Sequence, residues 1–308
     1  MSVTLQDFTI TYGDLTAVDS FSTTFPAGST GLLGPNGAGK SSLIKGLLGL
    51  VPLASGSATV LGKDVRTEPK AVLQSIGYMP EDDCLIPGLT GVGMVQYAGE
   101  LSGMNRVDAL QRAHEVLFLV GLDEARYREV ETYSAGMKQR IKLAQALVHD
   151  PRLLFLDEPT SGMDPKGRQE MLDLIQNISS REVMSIVLAT HIMVDVERTC
   201  DRVVIMNKGR VLKKGSMQDL RGTYSDVYTV RVKGEHERFR AALEREGCAV
   251  QPGGKYFLDV TVPEGRDTDV ILEAARVSET QLRKLVTSVQ TLEDVFLKVI
   301  GEDDHADL

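Results

Sequence analysis

The stretch Gly34-Pro35-Asn36-Gly37-Ala38-Gly39-Lys40-Ser41 fits G-x-x-x-x-G-K-[ST], a pattern whose parts all serve the holding of phosphate. Glycines let the backbone fold tightly, so that successive N–H groups converge on anionic oxygens. Lys40 can reach outer phosphates, and the Ser41 hydroxyl can ligate Mg²⁺. A second pair of reactive groups, Asp157-Glu158, closes the apolar run Leu153-Leu154-Phe155-Leu156. In an open α/β sheet, ligands sit at the carboxyl ends of strands. Asp157 is therefore placed to hold a magnesium hydration shell, and Glu158 to polarise a water for attack on a γ-phosphate. Taken alone, Asp-Glu-Pro fits a turn before a helix equally well; the phosphate loop tips the reading towards chemistry.

A third candidate is Tyr133-Ser134-Ala135-Gly136-Met137-Lys138-Gln139-Arg140, which precedes the apolar helix expected over Ile141 to Leu147. Ser134 can cap that helix, and the N–H groups at its start can receive an anion. In isolation a plain capped helix accounts for these residues. His114 and His149 have only a surface or packing reading.

Strands and helices must position these groups. Ser29 to Leu33 reads as a short buried strand before the phosphate loop, and Ser42-Leu43-Ile44 with Leu47-Leu48 as the first turns of a helix after it. That helix adds a favourable dipole for phosphate. Val3 to Tyr12 and Phe21 to Phe25 alternate like strands. Ser55-Gly56-Ser57 reads as a turn before a strand from Ala58 to Leu61, and another short strand begins at Ile76. From Val92 to Val130 the pattern is helical, with Ala109, Ala113, Val116, Leu117 and Val120 on one face. Leu153 to Leu156 and Met184 to Leu188 are apolar runs that suit parallel strands covered on both faces. This alternation predicts an α/β domain with a mainly parallel sheet.

The pattern changes after Gly215. Strands are expected over Tyr228–Val232, Tyr256–Val262 and Leu282–Val286, with helices over Glu235–Glu246 and Asp269–Arg276. That is a small α+β unit in a ferredoxin-like order. A last helix carries the stripe Leu292, Val295, Phe296, Val299 and Ile300, which suits docking on its own domain. The acidic tail opening at Glu302-Asp303-Asp304 is expected to fray.

Bulk properties narrow the class. A chain of 308 residues exceeds one ordinary domain, and 42% hydrophobic content supplies a core. No apolar run is long enough for a membrane helix, and residues 1–4 lack the basic and apolar features of a secretory signal. The three cysteines, Cys84, Cys200 and Cys248, form neither a metal pattern nor a disulfide framework, as expected of thiols in a cytosolic protein. A net charge of −9 disfavours a general nucleic-acid binder.

The order Tyr12, Gly34–Ser42, Gly77–Glu81, Ser134–Arg140, Leu153–Pro159, Ser161–Asp164 and His191 resembles the ATP-binding cassette proteins of the transporter superfamily. The likeness covers about residues 1–220. Ser134 and Gly136 match the family signature Leu-Ser-Gly-Gly-Gln, whereas Tyr133, Ala135 and Met137 depart from it. Glu81 stands where glutamine is usual. The tail, especially Leu292-Glu293-Asp294-Val295-Phe296-Leu297, is similar to the extension of cassettes that drive small multidrug or antibiotic exporters.

The resemblance implies a P-loop NTPase cassette over 1–220 with a helical subdomain at about 85–150, and the pattern beyond it gives the small α+β domain over 221–308. The resemblance also implies roles. Tyr12 would stack on adenine, although an ordinary strand aromatic accounts for it nearly as well. Gly34, Pro35, Asn36, Gly37, Ala38, Gly39, Lys40, Ser41 and Ser42 would hold the phosphates of ATP, and Ser41, Asp157 and Glu81 would lie at Mg²⁺. Glu81 would also face the coupling surface to a membrane partner. Ser134 and Gly136 would contact the γ-phosphate held by an opposite subunit, and Asp164 would cross-link the two sites. Glu158 would be the base, with Lys40 and His191 on the γ-phosphate.

Two departures carry physical consequences. Glutamate at position 81 keeps an oxygen for the metal, loses an amide donor and adds negative charge near phosphates, which should raise reliance on Mg²⁺. Ala135 replaces a glycine, so a positive φ there would carry strain.

The reading is the ATPase subunit of an exporter, cytoplasmic and peripheral on the inner face of the membrane. It would work with a separate permease through a head-to-tail homodimer closed by ATP. Two rivals stand beside it. A soluble cassette ATPase acting on ribosomes or DNA usually carries paired cassettes or a long coiled-coil insertion, and this chain shows neither. A non-hydrolysing regulator sits poorly with intact Lys40, Asp157, Glu158 and His191.

Overall fold

A computed structural model describes residues 2–181, 184–221, 227–252, 257–263, 266–287 and 292–306. The chain divides into two compact units, residues 1–217 with 299–308, and residues 218–298. The division expected at residue 220 thus falls slightly earlier, and the final ten residues belong with the first unit rather than the second.

The first unit begins with strands β1 (Val3–Tyr12), β2 (Leu15–Phe25) and β3 (Ser29–Leu33), followed by helix α1 (Lys40–Leu47). Next come β4 (Ser55–Val60), β5 (Lys63–Asp64), α2 (Pro69–Leu73) and β6 (Ile76–Met79). A helical stretch holds α3 (Gly91–Leu101), α4 (Arg106–Leu119) and α5 (Ala135–Leu147). The chain then returns through β7 (Leu153–Asp157), α6 (Pro165–Arg181), β8 (Ser185–Thr190), α7 (Met193–Thr199), β9 (Arg202–Asn207) and β10 (Arg210–Ser216), and the short α8 (Met217–Arg221) begins at the unit boundary.

These strands form two sheets. One is antiparallel, in the order β2-β1-β4-β5. The other runs β10-β9-β3-β8-β7-β6 and is parallel except at the β9–β10 hairpin. The mainly parallel sheet was foreseen; the separate antiparallel sheet was not, since alternation reveals strands but not their partners. Helix α1 is buried between the two. Its Leu43, Ile44 and Leu47 share a core with Phe8, Ile10 and Phe21 of one sheet and Phe155 and Val187 of the other. Packing on both sides fixes the helix whose first residue is Lys40.

Ser55-Gly56-Ser57 is strand rather than turn. Gly56 has φ 80°, and a Cβ there would lie 2.2 Å from the Asp7 carbonyl oxygen. The β1–β4 register shifts between Gln6 and Thr9, so the glycine marks a bulge instead of a reversal. The helical pattern from Val92 to Val130 is broken between α3 and α4, where the Asn105 side chain accepts from the N–H groups of Val107 and Asp108. The face foreseen on α4, Ala109, Ala113, Val116 and Leu117, is buried, as is Val120.

The second unit contains β11 (Val227–Lys233), α9 (His236–Arg245), β12 (Ala249–Pro252), β13 (Leu258–Thr261), α10 (Asp269–Val277) and β14 (Gln281–Thr287). Its sheet is antiparallel in the order β12-β13-β11-β14, the topology of a split βαβ unit. Tyr256, the expected start of a strand, lies outside the described residues. Helix α11 (Leu292–Ala306) runs through the tail residues that were expected to fray.

Candidate active site

The phosphate loop joins β3 to α1. Gly39 caps the helix at φ 101°, and a Cβ there would approach the Ala17 carbonyl oxygen to 2.3 Å, so a side chain is excluded. The loop is held from two other parts of the chain: Gly34 N–H donates to the Thr190 carbonyl at 3.3 Å, and Gly209 N–H to the Ala38 carbonyl at 2.9 Å. The helix starts at Lys40, slightly earlier than expected from Ser42.

A cleft of about 720 Å³ opens over this loop, lined by Asn36 through Ser42 together with Tyr12, Glu81 and Glu158. Leu15, Thr16, Ala17 and Lys208 also line it. Tyr12 is 44% exposed, which leaves a face available for stacking. Gly34 and Pro35 take part through their carbonyls. The Lys40 ammonium donates to Gly34 O at 2.8 Å and Pro35 O at 3.2 Å and lies 3.6 Å from Glu158 Oε1. Burial pulls the Lys40 pKa down, while Glu158 and Asp157 oppose the shift.

Glu158 follows β7 with φ 47°, a left-handed conformation uncommon for a residue bearing a side chain. Its carboxylate is pinned. Oε1 accepts from the His191 backbone N–H at 3.0 Å and faces the His191 ring Nδ1 at 2.9 Å, and Oε2 accepts from the Thr190 hydroxyl at 3.0 Å. His191 therefore meets the carboxylate expected to act as base, an arrangement that spacing of 33 residues could not indicate.

Asp157 is fully buried, and neither carboxylate oxygen makes a hydrogen bond. Burial pushes its pKa up; the Ser41 hydroxyl opposes this, Glu81 and Glu158 add to it, and Lys40 opposes. A buried carboxylate without a hydrogen-bond partner, beside a hydroxyl, is the kind of donor set that a cation would satisfy, so the residues fit Mg²⁺. A carboxyl whose folded pKa is raised contributes stability fully present below 3.8 and lost as pH rises through the folded value. At pH 7 the ionised group is a burden on the nucleotide-free fold. Asp157→Asn is expected to raise the melting temperature at pH 7 by roughly 2–4 °C, from about 1 kcal/mol recovered. The same change should abolish metal-dependent turnover. Thermal melts of the nucleotide-free protein check the first part, and an unchanged or lower melting point would contradict it.

Ser134, Gly136 and Asp164 do not line the cleft. Ser134 is the N-cap of α5, accepting from Met137 N–H at 3.4 Å. Ala135 is the first residue of that helix and does not have a positive φ, so the strain feared for a replaced glycine does not arise. The Asp164 loop is braced by the fully buried Asp195, which accepts from the Thr160 hydroxyl at 2.6 Å and from Arg168 Nε at 2.8 Å. Sequence reasoning passed over Asp195, because a lone acid in a helix carries no local signal. It also passed over Lys208, which occupies the β9–β10 turn with φ 45°, followed by Gly209 at φ 79°. Two positive φ values would have signalled a tight hairpin, but not its position over a loop some 170 residues earlier.

Comparison with known proteins agrees with this geometry. A family model described as ABC transporter matches residues 18–161. The uncharacterized ABC transporter ATP-binding protein YxlF of Bacillus subtilis (strain 168) is 36% identical over 87% of this chain and 89% of its own. The linearmycin resistance ATP-binding protein LnrL of the same organism is 39% identical over 75% of each. A solved structure titled as the ATP binding subunit of an ABC transporter superposes with TM-score 0.64 at 27% identity, covering 72% of this chain and 92% of that one. Among the described residues no helix is long and apolar enough to cross a membrane. A phosphate loop held by β8 and the β9–β10 turn, a carboxylate pair at the end of β7 in the same sheet, and relatives matched over most of their length lead to one assignment: the chain belongs to the ABC transporter ATP-binding proteins and is an ATPase of that family.

Proposed function

We propose that this ATPase powers export through a separate membrane permease, sitting peripherally on the cytoplasmic face and closing as a head-to-tail homodimer around ATP. The observation that carries the reading is the division of the expected phosphate contacts. Lys40, Ser41 and Glu158 border one cleft, while Ser134 and Gly136 do not line it. A single copy therefore leaves the outer phosphate uncovered on one side, and a second copy can supply the missing donors. Closure and catalysis are then linked. The name of the linearmycin resistance relative supports export for this chain.

In this reading Tyr12 stacks on the base, and the backbone of Gly34 to Ser42 cradles the phosphates. Ser41, Asp157 and Glu81 would hold Mg²⁺, which supplies charge neutralisation at the phosphate oxygens. Lys40 shifts from the loop carbonyls to the outer phosphate. Glu158 orients a water and takes its proton, with His191 and Thr190 keeping the carboxylate in place. Asp164 links the paired sites.

The test is purification with the neighbouring membrane proteins intact. Recovery with a polytopic membrane protein supports the reading; recovery with ribosomes instead would replace it. Glu81 supplies a second test. Its extra charge near phosphate should make hydrolysis lean more on Mg²⁺, so Glu81→Gln is expected to shift the Mg²⁺ midpoint for hydrolysis while keeping turnover within about tenfold. A Mg²⁺ titration in which neither rate nor midpoint moves would remove Glu81 from this role.

A further inference from the structure

Helix α5 carries a lysine that the phosphate chemistry does not use. Lys142 is 2% exposed, among Ile141, Leu143 and Ala144, which are all buried. Its ammonium donates to three carbonyls of one loop: Pro80 O at 2.9 Å, Glu81 O at 2.7 Å and Asp82 O at 3.3 Å. An ammonium has three N–H donors and no acceptor, so three converging carbonyls satisfy it completely. The benefit is mutual. Residues 80–82 lie outside any helix or strand, and their carbonyls need partners. Burial pulls the lysine's pKa down, and the neighbouring Asp83, Cys84, Asp82 and Glu81 oppose that shift.

The same helix makes two more ties. Lys138, one turn earlier on the same face, pairs with Asp83 at 2.8 Å. Gln139, itself buried, donates to the Ser161 carbonyl at 2.9 Å, and Ser161 N–H bonds back to the Glu158 carbonyl at 3.1 Å. Helix α5, with Ser134 at its cap, thus grips both the loop that brings Glu81 to the cleft and the loop that follows Glu158.

We infer that Lys142 is a positioning residue, clamping the Glu81 loop to helix α5 so that the capped end of this helix and the Glu81 side of the cleft move as one piece. The inference builds on the ATPase reading but rests on contacts that exist without nucleotide, so the two can fail separately. A hydrophobic residue would fill the same space without gripping the loop. What the lysine adds is a connection.

The experiment uses Lys142→Met, which keeps the stem and removes the donors, with Lys142→Gln as a second variant that retains two N–H groups. Cys84 lies just beyond the clamped loop and is exposed, while Cys200 and Cys248 are buried, so a nitroxide can be attached at Cys84 in the full chain. In Lys142→Met without nucleotide, the label's rotational mobility is expected to rise about twofold or more. The ATP dissociation constant should stay within about twofold while kcat falls about tenfold, since the Lys142 ammonium bonds residues 80–82 and does not line the nucleotide cleft. Lys142→Gln should fall between Met and wild type on both readouts. If Lys142→Met does not fold by its thermal melt, Lys142→Gln is judged against wild type by the same criteria. Unchanged label mobility overturns the clamp. So does a parallel loss of ATP affinity and kcat, which would mark a general structural defect. A wild-type protein that fails to hydrolyse ATP would sink the functional reading while leaving the mobility result to decide the clamp.

Discussion

Glu158→Gln is expected to slow ATP hydrolysis by about 10²–10⁴-fold, the range lost with a positioned general base. The local geometry makes this an informative change. Glu158 sits at the carboxyl end of β7 in a left-handed conformation and borders the cleft. Its two oxygens accept from His191 N–H and the Thr190 hydroxyl. Glutamine has nearly the same shape. Its oxygen can keep the His191 contact, and its amide can donate to the Thr190 hydroxyl, which also accepts. The fold and the nucleotide cleft should therefore survive, while the group able to take a proton from water is gone. ATP should then accumulate in the closed pair, giving a dimer in light scattering with MgATP that wild-type protein holds only briefly. Phosphate release at saturating MgATP measures the first effect. A mutant that turns over within tenfold of wild type would take Glu158 out of the role of base.

Lys40→Met should weaken ATP binding by about 10–100-fold, the worth of roughly 1.5–3 kcal/mol for a hydrogen bond to a charged group. Lys40 is 6% exposed, and its ammonium is held by Gly34 O, Pro35 O and the nearby Glu158. Burial already penalises its charge, so a desolvated cation is kept where an anion can be met at close range. Methionine reproduces the stem and removes that charge. Arginine would not be a mild substitute, because its planar fork does not fit a site shaped around a point charge. Calorimetry with MgATP reads the affinity directly. Affinity within twofold of wild type, with normal turnover, would mean that the cleft does not seat phosphate as described.

Much of the site was legible because its parts are local. A phosphate loop needs glycines at particular offsets, a lysine and a hydroxyl, and all lie within eight consecutive residues of the chain. The strand ending in Asp157 and the cap at Ser134 are likewise written in short windows. Hydrophobic periodicity also identified the parallel strands and, in the second unit, three strands and two helices, because burial on one or both faces sets the period; the short strand β12 (Ala249–Pro252), with a single buried residue, escaped it.

Pairings across long separations were a different matter. Gly56 looked like a turn, and only its partner Asp7 on β1 reveals a bulge. His191 meets Glu158 because β7 and β8 are neighbours in the sheet, and Lys208 reaches the cleft because β9 lies beside β3. Lys142 is an unremarkable residue in a helix until the carbonyls of residues 80–82 converge on it. By itself the sequence settled which short segments could bind phosphate and which could form strands or helices, since those depend on neighbouring residue types and backbone sterics. Only the tertiary structure decided which distant groups meet, because sheet order and helix packing bring together side chains that no local rule connects.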